Sequence, residues 1–392
     1  MCRIGLTKPA GYDIHWIGGV ACQIIFLIEL CATRSREAVM KLTMEEFARL
    51  VGVSRATVSR AINGHPRVAP ETKETIFAAM EQYNFWPNGL ARGLVTRHTG
   101  MIGMVTSGIV TPYHAAVIQA IEDELFEQNY SVIFAFSSEN VERERNYLRM
   151  LEERQVDGIL VSPIKNKEGE IENAGLIQRL HAEGTRVVLI DMYSSNPQID
   201  CVNGDLYGAA KRAVDYLTEL GHRRIGYLCT DLYRRASDGR LLGGDRLEGH
   251  RHGLADAGIA FDESIVVNAE HSIDGGYLEA KKLLEVVPRP TAIFCYTDVL
   301  ALGALRAIRD AGLSVPGDIS IIGCDDCDLA ARAEVPLTTL RLAKEELGRL
   351  AARMLVEKIK KGDAAEGTAC QIALPAELIV RESTAGISQA AK

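Results

Sequence analysis

The sequence predicts a mixed α/β protein with an N-terminal three-helix helix-turn-helix domain and a core of two subdomains built on parallel sheets. Residues 42–94 show short helical patterns of apolar residues separated by a tight corner. From Met101 onward, short apolar runs alternate with helix-length amphipathic stretches, which is typical of parallel strands joined by helical crossovers. With 392 residues, 47% of them hydrophobic, the chain can fill more than one core.

The helix-turn-helix prediction rests on local start and stop signals. Thr43 and Glu46 predict a capping box at the start of the first helix. The connection 51–53 is too short for anything but a corner, and Pro70 is a good first residue for a third helix. The apolar positions expected to pack together are Phe47, Leu50, Val51, Val53, Val58, Ala61, Ile62, Ile76, Met80 and Tyr83.

The opposite side of the second helix carries only small or hydrogen-bonding residues. These are Arg55, Ala56, Thr57, Ser59 and Arg60, and no carboxylate occurs from residue 54 to 63. Such side chains suit phosphate oxygens and base edges, so the face favours DNA binding over an ordinary interaction bundle.

The distribution of charge supports this interpretation, although the whole chain is acidic at −8. Residues 41–98 contain eight Lys or Arg against five Asp or Glu, a net charge of +3. Residues 1–40 carry +1, which leaves −12 for the remainder. A basic domain attached to an acidic body can bind a polyanion through the basic part alone.

Nine cysteines are scattered without a repeating spacing. Cys229 and Cys295 lie in apolar runs, which predicts buried, reduced thiols. Cys324 and Cys327 form a C-x-x-C, but no second ligand pair accompanies it. We therefore expect structural thiols, no metal site and no cofactor.

Residues 1–39 do not fit this organisation. The stretch 14–32 is apolar, but Gln23 and Glu29 interrupt it, and its length is at the short end of the ~20 residues that span a bilayer. We expect residues 1–39 to be a disordered or non-native extension, with Met40 a natural start. A membrane anchor is the alternative.

Residues 87–99 are expected to form a hinge helix and linker. Asn88 can cap a short helix, but Gly89 and Gly93 each cost it about 1 kcal/mol. A helix this short is marginal alone, so it should form only when something holds it. The alternative is a plain interdomain tether.

The core pattern restarts after Asp200, which predicts two doubly wound halves with ligands at the carboxyl ends of the strands. Arg246 opens a helix that should face the same cleft. A guanidinium and carboxylates on opposing sides can hold a sugar ring, whereas helix capping is the structural alternative for the carboxylates. The polar residues that end the apolar runs are Ser162, Asp191, Asp298, Asp325 and Asp326. No catalytic motif is visible.

The motif from Thr43 to Gly64, with PNGLARGL from Pro87 and LIVREST from Leu378, resembles the lactose/galactose repressor family of bacterial transcription regulators. The resemblance covers Leu42 to about Ala385. It implies a cytoplasmic homodimer, without membrane contact, that binds inverted-repeat operator DNA. It also implies a core like that of periplasmic sugar-binding proteins and a small-molecule effector, a sugar or sugar derivative.

The resemblance also implies residue roles. Arg55 and Ala56 should read the major groove, and Leu94 should enter the minor groove. The complete set of expected DNA-binding residues is Thr43, Ser54, Arg55, Ala56, Thr57, Ser59, Arg60, Asn63, Thr72, Asn88, Ala91 and Leu94. The expected effector-binding residues are Tyr113, His114, Ser162, Asp191, Arg246, His271, Asp298 and Asp326. Phe85 departs from the family pattern, because it lacks the hydroxyl of a usual Tyr.

The expected organisation is therefore an extension (1–39), a helix-turn-helix domain (41–86), a hinge (87–99), a core and a tail (385–392). We expect 100–202 with 329–342 to form the first core subdomain, and 203–328 with 343–384 the second. The predicted function is a repressor whose operator affinity a small molecule controls, and not an enzyme. A periplasmic or membrane-tethered solute-binding protein is the alternative.

Overall fold

The structure is a computed structural model. It describes residues 42–62, 65–85, 98–109, 111–166, 170–191, 198–230, 232–235, 241–362 and 369–387. The chain divides into two compact units at residues 91 and 92. We call the described part of the first unit the N-terminal domain and that of the second unit the core. The expected extension and most of the expected hinge lie outside the described residues.

The N-terminal domain has three helices in its described part: α1 (Met44–Val51), α2 (Arg55–Ile62) and α3 (Pro70–Gln82). The capping box is confirmed, because the Thr43 amide donates to the Glu46 carboxylate at 2.8 Å and the Glu46 amide donates to the Thr43 hydroxyl at 3.3 Å. Helix α1 ends at Gly52, whose φ of +73° is left-handed and costs glycine little. This geometry makes the predicted corner.

The core of the N-terminal domain differs from the expectation at three positions. Leu50 and Tyr83 are 53% and 43% exposed, so their predicted packing was wrong. Phe85 is instead buried and stacks on Phe47, with ring centroids 4.1 Å apart. A phenylalanine at position 85 therefore supplies apolar area to the core.

The core contains two six-stranded sheets. The first has the order β13-β5-β4-β3-β1-β2, and all of its pairings are parallel. Its strands are β1 (Met101–Thr106), β2 (Ser131–Phe136), β3 (Gly158–Val161), β4 (Arg186–Ile190), β5 (Asp200–Gly204) and β13 (Gln371–Leu374). The predicted parallel, doubly wound architecture is confirmed.

The second sheet has the order β14-β12-β11-β10-β6-β9, with only the β12–β14 pair antiparallel among its described strands. A separate hairpin joins β7 (Leu232–Arg235) to β8 (Leu241–Gly243). The strands of the second sheet are β6 (Ile225–Cys229), β9 (Val266–Asn268), β10 (Ala292–Cys295), β11 (Ser320–Cys324), β12 (Thr338–Arg341) and β14 (Glu377–Ile379).

Helices connect the strands in both sheets. In the first part of the core they are α4 (Pro112–Glu127), α5 (Val141–Glu153) and α6 (Ala174–Ala182). Those that follow are α7 (Leu206–Glu219), α8 (Asp245–Asp256), α9 (Ile273–Glu285), α10 (Asp298–Asp310), α11 (Asp328–Ala331) and α12 (Lys344–Lys361).

The expected subdomain boundaries were wrong for the C-terminal segments. Strand β12 pairs with β11, so 329–342 belongs to the second subdomain rather than the first. Helix α12 packs on α4, β3, β4 and β5, and β13 pairs with β5, so α12 and β13 belong to the first. Gly348 permits the approach of α12 to α4, because an added Cβ would lie 2.5 Å from the Val117 carbonyl oxygen. The chain thus crosses between the subdomains after β5, β12 and β13.

The predicted buried thiols are confirmed: Cys229, Cys295, Cys324 and Cys327 are buried cysteines that are not in disulfides. Among the described residues, no helix is both long and apolar enough to cross a membrane.

Candidate functional site

The N-terminal domain presents one polar, cationic helix face. The Ser54 hydroxyl caps α2 by accepting the Thr57 amide at 3.1 Å. Val58 and Ala61 are buried against the other helices, which leaves Arg55, Ala56 and Arg60 exposed on the opposite side. Neither arginine forms an ion pair with another described residue of this domain, so both guanidinium groups can meet an anionic partner.

The other expected DNA-binding residues fall into three groups. Thr57, Ser59 and Thr72 are half-buried near this face or on α3. The Thr43 hydroxyl is engaged with the Glu46 carboxylate at 2.7 Å, so its first role is to begin α1. Asn63, Asn88, Ala91 and Leu94 lie outside the described residues.

In the core, polar groups gather where strands of the first sheet end. Thr111 caps α4, accepting the His114 amide at 3.2 Å, and this places Tyr113 and His114 in the first turn of the helix. The Tyr113 hydroxyl donates to Asp191 Oδ1 at 2.7 Å, immediately after β4. Asp191 has a left-handed φ of +55°, which turns its side chain away from the strand direction. Burial raises the pKa of Asp191, although the hydrogen bond from Tyr113 opposes the shift.

The second subdomain contributes a buried cation, Arg246. It lies in the first turn of α8 and is only 6% exposed. Its guanidinium carbon is 4.0 Å from the Tyr296 ring centroid, a cation–π contact. Its Nη2 lies 3.9 Å from Asp325 Oδ1, and its Nε is buried without a hydrogen-bond partner. An incompletely paired buried cation of this kind has room for acceptors from a ligand.

The two adjacent aspartates after β11 have different environments. Burial raises the pKa of Asp325 to about 8 despite the opposing charge of Arg246. Asp326 is instead bound by Arg341 at 2.7 Å and by Arg381 at 2.6 Å, and these contacts overcome its burial and lower its pKa. Asp325 and not Asp326 therefore lies beside Arg246, so the expectation of an effector-facing Asp326 is corrected.

Asp298 is occupied by the fold itself. Its Oδ1 accepts the Thr339 hydroxyl at 2.5 Å and its Oδ2 accepts the Cys327 amide at 2.8 Å. Burial raises its pKa to about 6. These bonds tie α10 to β12 and to the segment after β11, so the structure gives Asp298 a positioning role. The helix-capping alternative is not seen, since Asp298 is itself the first residue of α10.

The charges of Asp325 and Arg246 in the second subdomain act on Tyr113 of the first subdomain. Burial raises the pKa of Tyr113, and the charges of Asp191 and Asp325 raise it further, while Arg246 opposes them. Burial likewise lowers the pKa of His271, and His114 and Arg246 lower it further. Residues of both subdomains therefore share one site, which we call the cleft.

The structure also describes two further residues that were expected to bind the effector. The His271 Nε2 is 2.9 Å from the Thr297 hydroxyl, and Ser162 follows β3 in a half-buried position. Tyr296 was not predicted, because an aromatic residue after an apolar strand gives no signal of a stacked cation. The cleft thus offers hydroxyl, imidazole, carboxyl and guanidinium groups, which suit a ligand that both donates and accepts hydrogen bonds. In the described residues, no group of His, Cys, Asp and Glu could hold a metal ion.

Comparisons with known proteins match both the N-terminal domain and the core. Residues 43–88 match the family described as bacterial regulatory proteins, lacI family, and residues 214–384 match a periplasmic binding protein-like domain. The HTH-type transcriptional repressor PurR of Mannheimia succiniciproducens is 32% identical over 346 residues, which cover 88% of this chain and 99% of the relative. The chain belongs to the lacI family of bacterial regulatory proteins.

Solved structures resemble the chain over its N-terminal domain and its whole core. A complex of the transcriptional regulator CelR with cellobiose is 30% identical, with a TM-score of 0.63, over 87% of this chain and 99% of that one. The Lac repressor dimer bound to operator and the anti-inducer ONPF is 25% identical, with a TM-score of 0.75, over 88% and 99%. The prediction of a ligand-controlled, DNA-binding transcription regulator is confirmed, and nothing supports a periplasmic solute-binding protein.

Proposed function

We propose that the chain acts in the cytoplasm as a dimeric repressor. In this proposal α2 of each protomer reads one half-site of an inverted repeat, because a twofold dimer matches a near-palindrome. The exposed Arg55 and Arg60, with no carboxylate on α2, support this orientation. Arg55 takes the base-reading role, since a guanidinium can bind guanine O6 and N7 through two hydrogen bonds.

The effector is a carbohydrate or a carbohydrate derivative bound in the cleft. The single observation that carries this proposal is Arg246, whose buried Nε has no partner. Vicinal hydroxyls can accept from this guanidinium and donate to the carboxyl groups of Asp191 and Asp325. We assign contact to Tyr113, His114 and His271 as well, because they adjoin these three residues. CelR, whose structure was solved with cellobiose, shows that a related core can hold a carbohydrate.

Effector binding changes operator affinity by changing the angle between the two core subdomains. Three chain crossings connect the subdomains, which allows a rigid-body rotation around the cleft. The sequence of 87–99, with its two glycines, transmits the rotation if its helix forms only in one arrangement. Effector and operator must then change each other's affinity by the same factor, typically about 5- to 150-fold.

The experiment that tests this function begins with selection of the preferred duplex from a random library. Fluorescence anisotropy of the selected operator is then measured with the full chain while sugars, sugar acids and nucleobases are added singly. The proposal predicts that a carbohydrate changes the operator Kd at least about fivefold. The proposed effector class is wrong if only a nucleobase changes the operator Kd. The proposed regulatory role is wrong if the protein prefers no palindrome over bulk duplex.

A matched pair of variants assigns the response to the cleft. Arg246→Gln should abolish the effect of the carbohydrate and leave operator binding intact. Arg309→Gln is the control, because Arg309 is an exposed arginine of α10 paired with Glu334 at 2.7 Å. An equal loss of response in both variants would show that the effect does not arise in the cleft.

A further inference from the structure

Asp325 and Asp326, which we call the aspartate turn, have a left-handed backbone at both positions. Their φ angles are +109° and +48°, and they follow directly on β11. Residues other than glycine rarely adopt this conformation, and they keep it only where the surrounding structure holds them. The turn brings Asp325 Oδ1 to 3.9 Å from Arg246 Nη2. The groups that hold the turn therefore determine where the Asp325 carboxyl lies.

The backbone of the aspartate turn is attached to β12 and to α12. The Asp325 amide donates to the Leu340 carbonyl at 2.8 Å, which extends the β11–β12 pairing. Lys344 Nζ, at the start of α12, lies 2.9 Å from the Asp325 carbonyl oxygen and 3.3 Å from that of Asp326. An ammonium on a flexible stem can follow these oxygens if the turn moves, so a stiffer attachment is needed to fix it.

The Asp326 side chain provides this attachment through Arg381. Arg381 Nη2 donates to Asp326 Oδ1 at 2.6 Å, and its Nη1 donates to the Leu337 carbonyl at 2.7 Å. The planar guanidinium fixes these two acceptors relative to each other. Arg341 Nε also donates to Asp326 at 2.7 Å, but Arg341 is shared with Glu377. Its side chain is 48% exposed, whereas that of Arg381 is 18% exposed, so water screens the Arg341 contact more.

The segment that carries Arg381 is itself fixed to two strands. The Arg381 amide donates to the Thr338 hydroxyl at 3.0 Å. Two residues later, the buried Ser383 hydroxyl donates to the Ile321 carbonyl at 2.6 Å and accepts the Thr338 amide at 2.8 Å. The Ile321 amide donates to the Ser383 carbonyl at 2.8 Å. Because these bonds fasten the segment to β11 and β12, the guanidinium is a fixed point for the turn.

We propose that Arg381 is a positioning residue for the cleft, which holds Asp325 beside Arg246 through the aspartate turn. This role gives the LIVREST segment from Leu378 a part in ligand binding, because the effector is proposed to bind Asp325 and Arg246. The inference rests on the proposed function for this last step alone. The position of Asp325 can be measured without an effector, so its test stands whether or not a carbohydrate changes operator binding.

The protonation of Asp325 reports its position. Burial raises the pKa of this carboxyl to about 8, against the opposing charge of Arg246. If the turn relaxes, Asp325 gains water and its pKa falls. Loss of the Arg381 charge alone would instead raise the pKa, because a nearby cation favours the carboxylate. The other ionisable groups that interact with Asp325 are Asp298, Lys344, Asp191, Tyr113 and Cys324, and Asp326 is its neighbour in the turn.

The test measures how Asp325→Asn changes the melting temperature of the full chain between pH 5 and pH 8. In the wild-type background, the advantage of the asparagine should grow over this range, since only the aspartate loses a stabilising proton. In the Arg381→Gln background, we expect this growth to fall by at least about half, because Asp325 is no longer held in its buried position. Growth equal to or larger than that in the wild type would overturn the proposal.

Arg224→Gln is the matched control background. Arg224 also joins a carboxylate to a carbonyl in the second subdomain, donating to Asp262 at 2.5 Å and to Pro288 at 2.6 Å. Its side chain is 24% exposed, close to that of Arg381, and its acceptors lie outside the aspartate turn. The growth should therefore match that of the wild type. An equal reduction in both backgrounds would contradict a specific role for Arg381.

A second variant keeps the test decisive if Arg381→Gln does not fold. Arg381→Lys retains the charge beside Asp326 but loses the planar fork that reaches two acceptors. It should also reduce the growth between pH 5 and pH 8. Growth like that of the wild type in Arg381→Lys would show that only the charge matters and would overturn the positioning role.

Discussion

Arg246 and Asp325 face each other at a separation of 3.9 Å between Nη2 and Oδ1, which is too long for a hydrogen bond. Both groups are buried, and the carboxyl has a pKa raised to about 8. At neutral pH the pair is thus a buried cation beside a mainly protonated acid. The guanidinium therefore retains N–H donors that lack an acceptor. An effector with several oxygens can supply these acceptors.

The first prediction concerns Asp325→Asn. The folded-state pKa of Asp325, about 8, lies above the ordinary value of the unfolded chain. Because the pKa is raised by folding, the protonated carboxyl stabilises the folded chain fully at pH values below the pKa of the unfolded chain. This stabilisation is lost as the pH rises from there towards 8. Asparagine has no such loss, and it is among the residues that tolerate a positive φ such as the +109° of Asp325. The melting temperature of the variant should therefore rise relative to wild type from pH 5 to 8, and a constant difference would contradict the assignment.

The second prediction is that Asp326→Asn behaves in the opposite sense. Its pKa is lowered by Arg381 and Arg341, so its contribution is present above the unfolded pKa and is lost as pH falls. The variant should be destabilised at pH 7 by about 1.5–3 kcal/mol, the range for hydrogen bonds to charged groups. The deficit should shrink in acid. Urea unfolding at pH 7 and pH 4 checks this, and a variant as stable as wild type at pH 7 would refute it.

The third prediction separates charge from geometry at Arg246. Arg246→Lys retains the positive charge but loses the planar fork and the stacking on Tyr296. Carbohydrate affinity, measured by calorimetry once the effector is known, should fall about 10- to 100-fold, since one or two hydrogen bonds to a charged group are lost. Affinity within threefold of wild type would mean that only the charge matters.

The fourth prediction concerns base reading by α2. Arg55→Ala should reduce discrimination between the selected operator and a duplex with one substituted guanine by about 1–3 kcal/mol. Arg49→Ala, an exposed arginine in the last turn of α1, should weaken both duplexes equally. Anisotropy at two salt concentrations distinguishes the cases. If Arg55→Ala also weakens both duplexes equally, Arg55 contacts phosphate only.

The fifth prediction tests the packing that joins α12 to the first sheet. Gly348→Ala should destabilise the core by about 1–3 kcal/mol, because its Cβ would meet the Val117 carbonyl oxygen at 2.5 Å. Gly175→Ala is the matched control, since it lies on α6 with nothing within 4 Å of the added Cβ. That variant should be neutral or slightly stabilised. Equal effects would show that α12 and α4 are less closely packed.

Local signals in the sequence predicted much of the fold. Thr43 with Glu46 marked the start of α1, because capping depends on residues only three positions apart. The alternation of apolar runs with amphipathic stretches predicted the two mainly parallel sheets for the same reason. Arg246 and Asp191 were predicted from their positions at the ends of elements, which parallel topology brings to one edge.

Features that depend on distant contacts could not be predicted. The exchange of β12 and α12 between subdomains is decided by pairing with β11 and by packing on α4, which leave no local pattern. The choice between Asp325 and Asp326 depends on Arg381, which is 55 residues from Asp326 in the chain. The burial of Phe85 follows from its stacking on Phe47, and periodicity alone favoured Tyr83 instead.

Reciprocal linkage tests the central claim most directly. The operator Kd is measured without effector and at saturating carbohydrate, and the carbohydrate Kd is measured with and without saturating operator. The account predicts the same factor, about fivefold or more, from both pairs of measurements, and a factor of one in Arg246→Gln. Carbohydrate binding at the cleft that leaves operator affinity unchanged would contradict it.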